Sequence, residues 1–114
     1  MTKVRQALGA SGEDLAAAWY ERRGYRVVAR NWRCRQGELD LVVRTGGTVV
    51  FCEVKARTSL AFGSPFEAVT AEKRRRIRHL AAAWLDQSGA GAAEIRFDVV
   101  GVLGGKVEVI EGAF

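Results

Sequence analysis

The sequence predicts a single α/β domain, a mixed β-sheet flanked by helices in the order α-β-β-β-α-β-β. Three observations carry this. The runs GELDLVVR and TVVFCEVK flank Gly46 and Gly47, which is the pattern of two apolar strands joined by a tight hairpin turn. Residues 94–103 and 106–111 flank Gly104 and Gly105 in the same way. Between the two hairpins lies an amphipathic segment, 71–87, placed where a strand, a helix and a further strand form a crossover. A length of 114 residues suits one compact domain with its own core.

Taken in order, Ser11 and Asp14 have capping-box spacing, and Leu15, Ala18, Trp19 and Arg22 recur at helical spacing until Gly24, so a first helix is expected over 12–23. Residues 1–10 are expected to be a flexible N-terminal segment. Residues 25–32 (YRVVARNW) are β-branched and aromatic and read as a strand, and the hairpin strands follow at 37–44 and 48–55. Residues 56–69 hold Ser59, Gly63, Ser64 and the only proline, Pro65, without a period, and read as a long connecting loop. Thr70 can cap the helix over 71–87, whose Ile77, Leu80, Ala81, Trp84 and Leu85 form one apolar stripe.

The formal charge is +5 and the sequence pI about 9.8, with arginine in excess, which points to a polyanionic partner unless the charge serves solubility alone. The two cysteines, Cys34 and Cys52, lack partners at zinc-site spacing and read as free thiols in a reducing cytoplasm, Cys52 in the core and Cys34 nearer the surface. No export signal and no stretch of bilayer-spanning length is visible.

Counting outward from a symmetric Gly46–Gly47 turn puts Thr45 opposite Thr48, Asp40 opposite Glu53 and Glu38 opposite Lys55, all four charged groups sharing one sheet face. Opposed side chains have Cβ atoms about 5 Å apart, where two carboxylates repel by roughly 3 kcal/mol at an effective dielectric of about 20. A hard divalent cation, Mg²⁺ or Mn²⁺, takes oxygen ligands and relieves that repulsion. Lys55 projects to the same face, where its ammonium can meet an attacking water or a phosphate. Glu13 joins this cluster if the first helix crosses this end of the sheet. Each residue also has a purely structural reading: an ion-pair network for Asp40, Glu53 and Lys55, a cross-strand pair for Glu38, a helix-dipole partner for Glu13.

Five cations, Lys73, Arg74, Arg75, Arg76 and Arg78, fall within six positions at the start of the second helix, with His79 beside them. They read as a phosphate-contacting surface, with a solvated helix face as the plainer alternative. Arg33, Arg35 and Arg57 add charge around the carboxylates. Trp32, Phe62 and Phe66 are candidates for stacking on bases, though packing is the more ordinary role for each.

Asp40 followed by Glu53, Val54 and Lys55 after a hairpin resembles the PD-(D/E)XK nuclease superfamily. With GELDLV, FCEVKAR, FGSPFEAVT, RFDVV and the closing EGAF, nearly the whole chain resembles the YraN (UPF0102) family. The resemblance implies a restriction-endonuclease-like fold similar to that of archaeal Holliday-junction resolvases. It implies that Asp40 and Glu53 are metal ligands, Lys55 the catalytic lysine and Glu13 the first-helix acid. Leu39 stands where the superfamily's name has proline, which is not a ligand. Glu38 is a possible accessory group.

The expected activity is Mg²⁺- or Mn²⁺-dependent hydrolysis of phosphodiester bonds in branched or structured DNA, with nucleic acid as partner, no membrane, and a homodimer by resolvase analogy. Nucleic-acid contacts are expected from Arg33, Arg35, Arg57, Lys73, Arg74, Arg75 and Arg78. The rival expectation is a non-catalytic nucleic-acid-binding or recruitment module that keeps the fold.

Overall fold

Thr45 pairs with Thr48, and the ladder runs from there through Arg44↔Val49, Val43↔Val50 and Val42↔Phe51 to Leu41↔Cys52, the register expected from the glycine turn. The computed structural model describes residues 2–57 and 69–114, with side chains from residue 12 onward in the first segment. Within these residues the order is α1 (Thr2–Glu21), β1 (Arg26–Cys34), β2 (Gly37–Thr45), β3 (Thr48–Arg57), α2 (Ala71–Ser88), β4 (Glu94–Leu103) and β5 (Lys106–Ile110). This is the α-β-β-β-α-β-β order of the sequence reading. Of the expected loop, 58–68 lies outside the described residues, and Phe62 and Phe66 with it.

The sheet has five strands in the order β1-β2-β3-β4-β5. Neighbours are antiparallel except β3 and β4, which run parallel because α2 carries the chain back between them. The tip of the first hairpin is tied to β4 where the Gly47 carbonyl accepts from Ala93 N at 2.9 Å and Glu94 N at 3.1 Å. At the second hairpin Gly104 and Gly105 have φ of 56° and 82°, the two positive values that a tight turn between twisted strands requires.

The alternation of β3 and of β2 from Leu41 onward feeds two cores, with Leu39 out of step with Leu41. On one face Leu41, Val43, Val50 and Cys52 pack with Val100 and Val102 under Ala16, Ala17 and Tyr20 of α1. On the other, Leu39, Val42, Val49 and Phe51 lie under Ile77, Leu80, Ala81 and Trp84 of α2, the stripe expected from sequence. Thr70 caps α2, its Oγ1 accepting from Lys73 N at 3.3 Å, and Gly89 closes it with φ 65°.

Helix α1 departs from expectation in two ways. Its helical backbone begins at Thr2, so Ser11 and Asp14 lie inside the helix and start nothing. Its buried face is Ala16, Ala17 and Tyr20, with Leu15 and Trp19 only partly covered. The stripe read from Leu15, Ala18, Trp19 and Arg22 is therefore turned away from the true one. Small alanines let the helix lie close on the sheet, and Tyr20 is taken in by a polar partner that the apolar pattern does not register.

That partner is Asp98, fully buried on β4. It accepts Tyr20 Oη at 2.6 Å, Gly112 N at 3.0 Å and a two-pronged contact from Arg96, Nε at 2.8 Å and Nη2 at 2.9 Å. The network joins α1, β4 and the segment after β5. Burial raises the Tyr20 phenol well above its ordinary range, so it stays a donor, and the Asp98 bonds hold Arg96 charged.

Candidate metal centre and nucleic-acid interface

The β2–β3 ladder ends at Leu41↔Cys52, so the expected cross-strand pairs Asp40↔Glu53 and Glu38↔Lys55 do not form as ladder pairs. The reason is local. The backbone N–H of Val54 is taken by Asp40 Oδ2 at 2.9 Å, a side chain standing in for the ladder where the strands part. On the other flank β1 pairs Arg30↔Leu41 and Trp32↔Leu39, which leaves Asn31 and Asp40 between two paired positions. Asn31 has φ 50°, the one positive value at a non-glycine among the described residues. Asparagine is among the residues that tolerate this conformation best, and here its Nδ2 donates to Glu13 Oε2 at 2.8 Å. A kink in β1 thereby fastens the first-helix acid to the same end of the sheet as Asp40.

Asp40 and Glu53 remain electrostatic neighbours despite the lost ladder pair. Burial, and after it the Glu53 carboxylate, push the Asp40 pKa up to about 7 against the pull of Val54 N–H and Lys55. Glu13 acts on Asp40 in the same direction as Glu53, more weakly. Lys55 Nζ sits 3.1 Å from Glu53 Oε1, with side chains only 21% and 14% exposed. Burial works against the ammonium, but the charge and hydrogen bond of Glu53 outweigh it and hold Lys55 above its ordinary range. The like charge of the nearby Lys55 ammonium lowers the Lys73 pKa.

Glu38 is not bonded to Lys55 as expected. It accepts from Arg33 Nε at 3.0 Å across the β1–β2 pair, and its other side opens on a cavity of about 240 Å³ shared with Glu53, Lys73 and Arg76. The expected nucleic-acid surface is divided. Lys73 and Arg76 line the cavity. Arg74 lies over the ring of Phe114 at 5.6 Å, and Arg78 over Phe97 and Phe114 at 5.9 and 5.4 Å, on the far side of the helix. Arg75, His79 and Arg35 are exposed. Arg57 is half-buried, its Nη1 donating to Ala56 O at 3.3 Å, and its Nε has no partner among the described residues. Trp32 is packed in the α2-side core, its ordinary role.

One contributor escaped the sequence reading: Asn31 gave no signal, since a positive φ leaves no trace in an apolar pattern. Arg76 is one of the five cations read as phosphate-contacting, and it stands three residues after Lys73, the spacing that puts both on one helix face.

The donor chemistry fits a hard divalent cation. Asp40 and Glu53 are half-buried electrostatic neighbours, and while Asp40 Oδ2 is held by Val54, Oδ1 has no hydrogen-bond donor among the described residues. Among the described residues no group of three or more His, Cys, Asp or Glu side chains is gathered around one point. Mg²⁺ is commonly held by one or two carboxylates and keeps several waters, so two suffice. No helix among the described residues is long and apolar enough to cross a membrane.

Comparison with known proteins bears on the family. The model of the uncharacterised protein family UPF0102 matches residues 12–102. A UPF0102 protein of Beutenbergia cavernae is 57% identical over 101 residues, covering 89% of this chain and 86% of the relative. One from Nocardia farcinica is 57% identical over 99 residues (87% and 78%), and one from Acidothermus cellulolyticus 46% identical over 126 (97% and 96%). With the matched region running from the end of α1 that carries Glu13 through β4, this chain belongs to the UPF0102 family, also called YraN.

Proposed function

We propose that the protein is a divalent-metal-dependent endonuclease acting on branched or structured DNA. The observation that carries the reading is the Asp40–Glu53 pair: two half-buried carboxylates, with burial and, after it, the Glu53 charge holding Asp40 up to a pKa of about 7.

Asp40 and Glu53 are the groups that would hold Mg²⁺ or Mn²⁺, which supplies Lewis-acid polarisation of a phosphate and a bound water of lowered pKa. The chain's own residues prepare the rest. Val54 N–H fixes the orientation of Asp40, leaving Oδ1 to bind. Lys55, held charged by Glu53, offers its ammonium to the negative charge that builds on the phosphate oxygens. Glu13, anchored by Asn31, adds negative charge behind Asp40 and favours cation binding. Sequestering water and orienting the phosphate fall to residues around the cavity under α2.

The test is metal-dependent nicking of a four-way or flap DNA junction by the full chain. Nicking is expected with Mg²⁺ or Mn²⁺ and is lost in Asp40→Ala, Glu53→Gln and Lys55→Ala proteins that keep the wild-type fold. Equal nicking by the triple variant overturns the reading.

A second reading, a nucleic-acid-binding module that cleaves nothing, draws on the absence of a third acidic ligand among the described residues. Salt-dependent junction binding with no cleavage in either metal is its expected outcome.

A further inference from the structure

Lys73 and Arg76 sit on the one face of α2 that overlooks the carboxylates, across the 240 Å³ cavity from Glu38 and Glu53. At about 30 Å³ per water, that space holds roughly eight waters, enough for a phosphate group with part of its hydration. Three observations set these two cations apart from the rest of the helix. The first is that the Arg76 fork is uncommitted: its ion pair with Glu72 spans 4.0 Å between exposed side chains, a contact of little strength. Arg74 and Arg78, by contrast, are laid on the Phe97 and Phe114 rings.

The second is Gly37. Its φ is 146°, and a Cβ there would stand 3.5 Å from Leu80 Cδ1 and 3.8 Å from Arg76 Cδ. The start of β2 thus runs beneath the Arg76 stem in a backbone conformation that favours glycine. The third is that Glu53, which lines the same cavity as Lys73 and Arg76, also carries Lys55 at 3.1 Å, so three cations gather around it. An anion in the cavity answers that positive charge, and a phosphodiester is such an anion.

We propose that Lys73 and Arg76 form the subsite that grips the reacting phosphodiester, Arg76 through its two-pronged fork and Lys73 as a point charge, while Arg74 and Arg78 serve to seat the Phe97–Phe114 stack. The inference rests on the nuclease reading for the identity of the anion.

Backbone amide spectra of the full chain test it, with thymidine dinucleotide as the phosphodiester probe and Mg²⁺ added separately and together. Saturable shifts are expected at Gly37, Lys73 and Arg76 on adding dinucleotide with Mg²⁺. They should persist in Arg78→Ala and need at least tenfold more dinucleotide in Arg76→Ala. No saturable response at those residues with or without Mg²⁺, or an Arg76→Ala affinity within twofold of wild type, overturns the proposal. Failure of the nuclease reading looks different: the Asp40 and Glu53 amides would ignore Mg²⁺ alone while the dinucleotide response survives, and that result supports the subsite.

Discussion

Asp40 Oδ2 accepts the Val54 N–H at 2.9 Å at the point where β2 and β3 cease to pair. One carboxylate thus stands in for the ladder at its end. Its own burial and, after it, the charge of Glu53 hold it partly protonated at neutral pH.

A stability profile follows from that pKa. The folded value, about 7, lies above the ordinary 3.8, so the folded state keeps a proton that the unfolded chain releases. The contribution is fully present below about pH 4 and is lost as pH rises through 7. Urea unfolding in EDTA should show Asp40→Asn equal to wild type near pH 4 and more stable at pH 8, by about 2–4 kcal/mol. Parallel profiles for the two proteins would remove the basis for the raised pKa.

Metal should act in the opposite sense. A cation on Asp40 and Glu53 displaces the proton, so stabilisation by Mg²⁺ is expected to be larger at pH 8 than at pH 5.5. At 100 times the dissociation constant it amounts to about 2.7 kcal/mol. Thermal melts at both pH values check this, with Glu53→Gln expected to show no Mg²⁺ effect.

How much of this was visible beforehand differs from residue to residue. Gly46 and Gly47 with the alternation of Val42, Val43, Val49 and Phe51 dictated the register, because a slip by one residue would bury the polar set. The stripe of α2 was legible for the same reason. The end of the ladder was not, since it depends on Asn31 across in β1 and on a side chain replacing a backbone partner. The start of α1 was misplaced because Ser11 and Asp14 carry a cap's spacing within a longer helix. Asp98 was illegible as a hub: its partners Tyr20, Arg96 and Gly112 are scattered along the chain and meet only in the fold.

Replacing Asp98 tests that hub. Asp98→Ala leaves Arg96 and the Tyr20 hydroxyl without their buried acceptor, and loss of one member of such a pair costs about 3–5 kcal/mol. Urea titration should show that loss, with Mg²⁺ binding per folded molecule unchanged, because the network lies on the α1 side of the sheet, away from the face where Phe51 meets α2.

The approach of α1 is set by Gly12, where an added Cβ would come within 3.0 Å of Ala56 Cβ on β3. Gly12→Val forces the helix off the sheet and is expected to cost about 1–3 kcal/mol, exceeding the propensity gained by leaving glycine. It should also detach Glu13 from Asn31 and weaken metal binding. Calorimetry of unfolding with a metal titration on the same sample reads both effects.

The measurement closest to the central claim is Mn²⁺ binding to the full chain at pH 8, followed by the electron paramagnetic resonance of the free ion. One site is expected in the wild-type protein, with affinity reduced at least tenfold in both Asp40→Asn and Glu53→Gln. Wild-type protein that leaves Mn²⁺ free, or variants that bind it as well as wild type, would contradict a metal centre built on these two carboxylates.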